Sequence, residues 1–289
     1  MPISRLPTDA EAEAQGFVGA DSQRRRDVLR ETVTAFETCQ PPDHFHQLAG
    51  RNLRYWNSLV EYSEQEGCVL VLPGDWGEVT QSLTMTYGKC FAVLNMANTY
   101  YPGGAYGEGA IAQEENMFRR TDCHFHVRAE HLAADGRTYT EEMSDLLTAR
   151  AGLVYLDSKS PRVCIRGKED RMDPALGYPW LHETAVFPYY ELRASAQDLR
   201  DGSAFDRGIA RARIAAQLDT LIEHGLRHAV LGAFGCGAFL NPTEEVARLY
   251  REEIQKRASS FDVVAFAIYS AGYGRSNLEP FAAEFRNAA

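Results

Sequence analysis

The sequence has no run of about 18 apolar residues, which is near the minimum for a helix that spans a membrane. Residues 1–16 contain no apolar stretch of the kind that a secretory signal needs. The six cysteines lack the spacing of a disulfide framework; they are Cys39, Cys68, Cys90, Cys123, Cys164 and Cys236. We therefore expect a reduced, cytoplasmic protein without a membrane partner.

Basic residues are in the minority, with 30 Lys and Arg against 40 Asp and Glu and a formal net charge of −10. Non-specific binding to nucleic acid depends on counterion release by a broad basic surface, so we expect no direct nucleic-acid partner. An anionic ligand would have to be held locally, by main-chain N–H groups and helix ends.

The 289 residues are 45% apolar, which is enough for one large domain or two small ones. Helical periodicity over 27–39 and 53–66 predicts helices, and we interpret residues 1–65 as an accessory helical segment. Residues 66–289 alternate strand, loop and helix, which predicts an α/β fold with helices on both faces of the sheet. Strands are predicted over 67–75, 90–98, 152–158, 162–167, 183–195, 228–231 and 262–270, and helices over 77–88 and 205–225. A further helix is expected to begin with Asn241 as N-cap and Pro242 as its first residue.

Two glycine-rich loops each follow the carboxyl end of an apolar strand. The first, PGGAYGEGAIAQEEN, spans 102–116 and runs into two adjacent carboxylates; the second, GAFGCGAF, spans 232–239 and opens a helix. If the two strands are parallel neighbours, both loops lie in one crevice at the edge where ligands bind in open α/β sheets. The second loop is then a good diphosphate site, although a tight turn without a ligand fits the same pattern.

The carboxylates Glu114 and Glu115 suit chemistry on hydroxyl or glycosidic oxygens. Consecutive helical residues diverge by about 100°, so the two are not expected to flank one bond as a conventional glycosidase pair. One would protonate a leaving oxygen and then activate water, while the other holds neighbouring hydroxyls or caps the structure. The alternative is a pair of solvated glutamates in the first turn of a helix.

Other motifs carry less weight. GEGAIA at 107–112 fits a dinucleotide pattern but lies too far from the strand end for the tight turn that such a motif requires. The pairs His44/His46 and His124/His126 suggest zinc, and strand alternation would place each pair on one face. No further ligands have a recognisable spacing, so we expect no metal and no cofactor.

Cys236 is expected to fill a tight loop. Five aromatic residues near the loops could stack on a base or ribose; these are Tyr100, Tyr101, Tyr106, Phe239 and Tyr273.

In combination, these segments resemble poly(ADP-ribose) glycohydrolases, especially the short microbial type. The family has a GGG loop followed by QEE, and this chain reads Gly103-Gly104-Ala105 and then Gln113-Glu114-Glu115. The strand end NMAN at 95–98, the loop GAFGCGAF and the helix start NPTEEVA are also similar to the family. The resemblance covers about residues 68–285 and implies a macrodomain, a three-layer α/β/α sandwich with a mixed sheet that binds ADP-ribose.

The resemblance also implies roles for individual residues. Glu115 would protonate the leaving oxygen of an α(1→2) ribose–ribose bond, and Glu114 and Asn98 would hold the reacting ribose. The remaining substrate contacts would come from Gly103, Gly104, Ala105, Gln113, Ala233, Phe234, Gly235, Cys236, Gly237, Ala238, Phe239 and, for adenine, Tyr269. The expected partners are ADP-ribose and ADP-ribosylated proteins.

Three departures from the family pattern bear on the substrate. Ala105 stands where a third glycine is expected and would be strained at positive φ, Phe234 replaces a tryptophan, and one extra residue lies between Asn98 and Glu115. The expected activity is hydrolysis of poly(ADP-ribose). A hydrolase of single protein-linked ADP-ribose, a non-catalytic ADP-ribose reader and a nucleotide-dependent oxidoreductase remain alternatives.

Overall fold

The computed structural model describes residues 5–60, 67–270 and 276–286, and it divides the chain into two compact units. The helical unit is assembled from residues 1–55, 97–144 and 162–188, and the sheet unit from residues 56–96, 145–161 and 189–289. The boundary near residue 65 that the sequence suggests stays a prediction.

Helices and strands alternate through most of the chain, as predicted for an α/β fold. The helices of the described residues are α1 (Asp9–Ala14), α2 (Ala20–Thr38), α3 (His44–Leu59), α4 (Trp76–Tyr87), α5 (Gln113–Arg120), α6 (Glu141–Leu147), α7 (Arg207–Glu223), α8 (Thr243–Gln255) and α9 (Leu278–Phe285), with short 3₁₀ helices at Cys123–His126, Ala129–His131 and Ala258–Ser260. The strands are β1 (Cys68–Pro73), β2 (Ala92–Met96), β3 (Tyr155–Cys164), β4 (Phe187–Ala194), β5 (His228–Leu231) and β6 (Val263–Ile268).

The six strands form one mixed sheet in the order β1-β6-β5-β2-β4-β3, which confirms the predicted fold class. From β1 to β4 in that order, every neighbouring pair is parallel. The strands predicted over 152–158 and 162–167 are instead one continuous strand, β3. It contains Pro161, which the edge position of β3 tolerates because an edge strand has one side without ladder bonds.

Apolar side chains on the central strands form the core of the sheet unit. Leu94 on β2, Leu231 on β5 and Phe266 on β6 are at most 2% exposed and belong to one buried cluster. Strands of a parallel sheet are covered on both faces, so they appear in the sequence as short continuous apolar runs. This is why the central strands could be predicted without an alternating pattern.

A buried ion pair within β4 is hydrogen-bonded to β2 inside the sheet unit. Arg193 Nε donates to Glu191 Oε1 at 2.7 Å, and neither side chain is exposed. Asn95 Nδ2 of the neighbouring strand donates to the same oxygen at 2.9 Å. Buried charges are tolerated only when paired and hydrogen-bonded, and this cluster meets that condition next to the end of β2.

Buried arginines hold the helical unit together and position α5. Arg25 on α2 donates to Glu169 Oε1 at 2.7 Å, with both side chains at most 7% exposed. Thr32 Oγ1, also on α2, donates to the carbonyl of Arg119 at 2.7 Å. Arg119 Nη1 in turn donates to the carbonyl of Ala110 at 2.8 Å, so α2, α5 and the end of the first glycine loop are tied to one another.

Candidate active site

The first glycine loop connects the end of β2 at Met96 to the start of α5 at Gln113. Among the described residues with positive φ are Gly103 at 76° and Gly104 at 60°, but not Ala105. The methyl group of Ala105 therefore brings no left-handed strain, and the departure from the GGG pattern leaves the loop intact.

Glu114 fastens the start of this loop rather than lying in solvent. It is 3% exposed, and its carboxylate accepts hydrogen bonds from Asn98 N at 2.6 Å and from Gly103 N at 3.1 Å. Asn98 Oδ1 accepts from the backbone N–H groups of Tyr100 and Tyr101 at 2.8 and 3.0 Å. Glu114 and Asn98, which the resemblance assigns to ribose binding, thus also hold the loop in its conformation.

Glu115 lies against the middle of the same loop. It is 9% exposed, and its Oε1 accepts from Ala105 N at 3.2 Å. A Cβ on Gly104 would come within 2.3 Å of that oxygen, so only glycine leaves room for the carboxyl group. Because the loop wraps around the first turn of α5, both glutamates reach it despite their angular separation on the helix.

The surroundings of Glu115 favour its protonated form. Burial raises the pKa of the Glu115 carboxyl above the ordinary glutamate value, and the charge of Glu108 raises it further. The N–H bond from Ala105 and the charge of Arg119 act in the opposite direction. A buried carboxyl group with a raised pKa is the form of acid that can donate a proton near neutral pH.

Replacing Glu108 by glutamine is expected to move the alkaline limb of the kcat–pH profile to lower pH. A neighbouring negative charge opposes ionisation of Glu115, so its removal lowers the Glu115 pKa and the acid loses its proton earlier on the pH scale. Glu130→Gln is the control, since that side chain is 65% exposed and is paired only weakly with Arg128 at 3.8 Å. A limb that moves to higher pH, or that moves equally in the control, would contradict the assignment.

The N-terminal segment shapes the second half of the loop within the helical unit. A Cβ on Gly107 would lie 2.6 Å from Pro7 Cδ, and one on Gly109, whose φ is 92°, would lie 2.4 Å from the carbonyl oxygen of Ser22. Arg26 Nη1 donates to the carbonyl of Glu108 at 3.2 Å. The dinucleotide-like GEGAIA pattern is thus explained by close packing against the N-terminal segment, a contact that the sequence pattern does not predict.

Aromatic residues near this loop differ in what they can contact. Tyr106 is 6% exposed, its hydroxyl is hydrogen-bonded to His124 Nδ1 at 2.7 Å, and its ring packs on Phe118 with centroids 4.6 Å apart. It is therefore a packing residue. Tyr100 and Tyr101 are 64% and 51% exposed and are accessible for stacking, whereas Tyr273 lies outside the described residues.

The second glycine loop follows β5 in the sheet unit. Gly235 has φ of 74°, and a Cβ there would meet Ala196 Cβ at 2.5 Å. Phe234 is 3% exposed, so this replacement of tryptophan is packed into the core. Burial raises the pKa of the Cys236 thiol to about 12, which keeps it neutral and agrees with a space-filling role.

Of the remaining predicted residues of the sheet unit, Gly237, Ala238 and Tyr269 are exposed, whereas Ala233 and Phe239 are half-buried and pack against the core. Gly237 has nothing within 4 Å of the position that a Cβ would take, and Tyr269 is 44% exposed. The guanidinium of Arg200 lies 5.1 Å from the centroid of the Phe239 ring.

The prediction that Asn241 caps the following helix is wrong. Helix α8 begins at Thr243 with Pro242 as its N-cap and no side-chain capping bond. Asn241 Nδ2 instead donates to three backbone carbonyls: Gln197 at 2.7 Å, Gly235 at 3.1 Å and Phe239 at 3.2 Å. The Asn241 side chain thus joins two carbonyls of the second loop to the carbonyl of Gln197.

Replacing Asn241 by aspartate is expected to lower the free energy of unfolding by roughly 1–3 kcal/mol, because an acceptor would then face three carbonyls. We also expect about tenfold weaker binding of ADP-ribose, the ligand that the resemblance implies, through loss of loop order. Asn277→Asp is the matched control, since Asn277 accepts through Oδ1 from Thr243 Oγ1 at 2.7 Å and an aspartate preserves that bond. Calorimetric titration and urea denaturation measure both effects; equal losses in the two variants would contradict the role of Asn241.

The strands before the two loops meet the condition for a shared ligand edge. Strands β2 and β5 pair in parallel, with Ala92 opposite Ala229 and Val93 opposite Val230. Their carboxyl ends therefore point to the same edge of the sheet. That both loops serve one ligand stays a prediction.

The prediction that the histidine pairs lie on strands is also wrong. His44 and His46 are in the first turn of α3, and His124 and His126 are in the 3₁₀ helix Cys123–His126. His124 is 3% exposed and bonded to Tyr106, and burial lowers its pKa to about 4.

Among the described residues, no helix combines the length and the apolar character that crossing a bilayer requires.

No curated protein matches the chain with significance. Residues 25–157 match the family model described as "Microbial-type PARG, catalytic domain".

Solved structures share the fold. Poly(ADP-ribose) glycohydrolase from Thermomonospora curvata has 22% identity, with 91% of this chain and 100% of that chain covered and a TM-score of 0.64; its complex with the inhibitor ADP-HPD has a TM-score of 0.62. The enzyme from Deinococcus radiodurans in complex with ADP-ribose has 21% identity, coverage of 86% and 93%, and a TM-score of 0.55. The structures establish the fold, and the family model matches a catalytic domain. The predicted resemblance to microbial-type poly(ADP-ribose) glycohydrolases is therefore confirmed, and the match supports a glycosidase.

Proposed function

We propose that this chain hydrolyses the ribose–ribose O-glycosidic bonds of poly(ADP-ribose) and releases ADP-ribose. The observation that carries the proposal is the Glu115 carboxyl group, which is buried against a glycine loop and has a raised pKa. The bound complexes of similar structures, with ADP-ribose and with the inhibitor ADP-HPD, support a ligand of this class.

In the proposed reaction, the bond between C1″ of the terminal ribose and the leaving ribose oxygen breaks as Glu115 transfers its proton to that oxygen. Positive charge develops at C1″, as in other glycoside hydrolyses. The Glu115 carboxylate then accepts a proton from a water molecule whose hydroxide bonds to C1″. The carboxyl group is regenerated, and free ADP-ribose and a shortened polymer leave.

Glu114 and Asn98 would orient the reacting ribose. A carboxylate accepts roughly four hydrogen bonds, so the two that Glu114 receives from the loop do not exclude a ribose hydroxyl. Asn98 uses its carbonyl oxygen within the loop, and its Nδ2 would donate to the sugar.

The pyrophosphate would be bound by main-chain N–H groups of the second loop. The helix start at α8 adds a favourable dipole for phosphate, with Ala233 to Phe239 as the cradle. Gln113 would assist from the first residue of α5, and Tyr269 would contact adenine.

The alternatives differ in what the protein releases. The test is to incubate it with poly(ADP-ribose) and, separately, with protein carrying single ADP-ribose groups, and to quantify free ADP-ribose from each. Release from polymer supports the proposal. Release from the mono-modified protein alone would replace it by a mono-ADP-ribosyl-protein hydrolase, and ADP-ribose binding without any release would replace it by a reader.

A further inference from the structure

Three potential metal ligands from separate parts of the sequence meet inside the helical unit. His46 is on α3, Asp122 follows α5, and His126 ends the 3₁₀ helix that comes next. Asp122 Oδ2 lies 2.9 Å from His46 Nε2 and 3.0 Å from His126 Nε2, and these three atoms are all within 4.8 Å of one another. One member of each sequence pair thus joins the cluster.

The spacing of these atoms suits a small tetrahedral ion. Zinc binds imidazole nitrogen and carboxylate oxygen at about 2.0–2.2 Å, which places neighbouring ligand atoms roughly 3.3–3.5 Å apart in a tetrahedron. The two oxygen–nitrogen separations are a few tenths of an ångström shorter, so the side chains need only small shifts to admit the ion.

The carboxylate of Asp122 is already oriented for this role. Its other oxygen, Oδ1, accepts from Val163 N at 2.8 Å, and the side chain is 2% exposed. Such outer hydrogen bonds hold metal-binding carboxylates in place in known sites. They leave Oδ2 directed at the two imidazole rings.

An ion has a route to the cluster from solvent. The side chains of His46 and His126 are 42% and 21% exposed. His46 also lines a cavity of about 610 Å³, together with His44, Arg51 and Arg54. A site with three protein ligands and solvent access keeps its fourth position for water or another small ligand.

We propose that His46, Asp122 and His126 form a binding site for a divalent transition-metal ion, with zinc favoured by two imidazoles and one carboxylate. The ion would link the start of α3 to the segment that follows α5. Its role is to stabilise the helical unit, and it takes no part in the chemistry proposed for Glu115.

The test uses the full chain, freed of metal with EDTA and then dialysed. Titration with zinc chloride is expected to show one high-affinity site per chain, and cobalt(II) is expected to give the intense visible absorption of a tetrahedral complex. The thermal unfolding midpoint should rise with zinc, because an ion that binds only the folded state stabilises it. Failure of the unmodified protein to bind stoichiometric zinc would overturn the proposal.

Two histidine variants separate this site from adventitious binding. His46→Ala should abolish the zinc titration and the cobalt absorption, and its exposure favours a folded variant. His44→Ala is the matched control, since His44 is on the same helix and lines the same cavity but is not in the cluster. Circular dichroism checks that both variants are folded. Equal zinc binding by His46→Ala and the unmodified chain, or equal loss in both variants, would overturn the proposal.

Discussion

Replacing Glu115 by glutamine is expected to lower kcat for release of ADP-ribose by about 10²–10⁴-fold, the usual contribution of a general acid. Glutamine has nearly the same shape, and its amide oxygen can still accept from Ala105 N, so the loop should keep its conformation. It has no proton to give to the leaving oxygen. ADP-ribose affinity should change by less than about tenfold, because product binding does not need the acid.

Glu114→Gln is the companion variant that tests this division of roles. Asn98 N and Gly103 N donate to different oxygens of the Glu114 carboxylate. Glutamine has one oxygen that accepts and one NH₂ group that only donates, so the two bonds cannot both persist. We expect lower stability and weaker ADP-ribose binding, with a pH profile that still reports an acid. If Glu115→Gln retains kcat within about tenfold of the unmodified protein, the acid is a different group.

Replacing Gly104 by alanine is expected to lower kcat by about 10²-fold, because the new methyl group must displace the catalytic carboxyl group. Its Cβ would lie 2.3 Å from Glu115 Oε1 and 3.0 Å from Glu115 Cδ, distances that force the side chain to move. A left-handed backbone adds a stability cost of roughly 1–2 kcal/mol for any residue with a Cβ.

Gly136→Ala separates these two effects. Gly136 has φ of 64°, close to the 60° of Gly104, and nothing lies within 4 Å of the position that its Cβ would take. Both variants should lose similar free energy of unfolding in urea, while only Gly104→Ala loses kcat. If both variants lose kcat equally, the loss is caused by backbone strain and not by displacement of the Glu115 carboxyl group.

Local sequence patterns predicted most of the sheet unit. Apolar runs such as 90–98 became buried parallel strands, and α7 begins after Asp206, whose side chain accepts from Gly208 N and Ile209 N as an N-cap should. The same reasoning failed at Asn241, where the capping pattern is equally good. There a carbonyl from residue 197, distant along the chain, binds the amide instead, and no local rule includes that competitor.

The candidate site shows the same division. The order of glycines and glutamates indicated candidate site residues, and the resemblance assigned Glu115 as the acid; both assignments stay predictions. Only the tertiary structure distinguishes the two carboxylates by their contacts, because Glu114 binds the start of the loop and Glu115 lies where Gly104 leaves space. The sequence also could not predict that Pro7 and Ser22 pack on the loop, because the only local sign of this packing is the pair Gly107 and Gly109.

The sequence by itself determined the alternation of helix and strand and the chemistry available to the loops, because both depend on residue type and short-range spacing. Which side chains meet was decided by tertiary structure alone. His46, Asp122 and His126 converge although their spacing predicted nothing, since distance in space between residues far apart in the chain depends on how whole elements pack. Burial, which raises the pKa of Glu115, likewise exists only after the chain has folded.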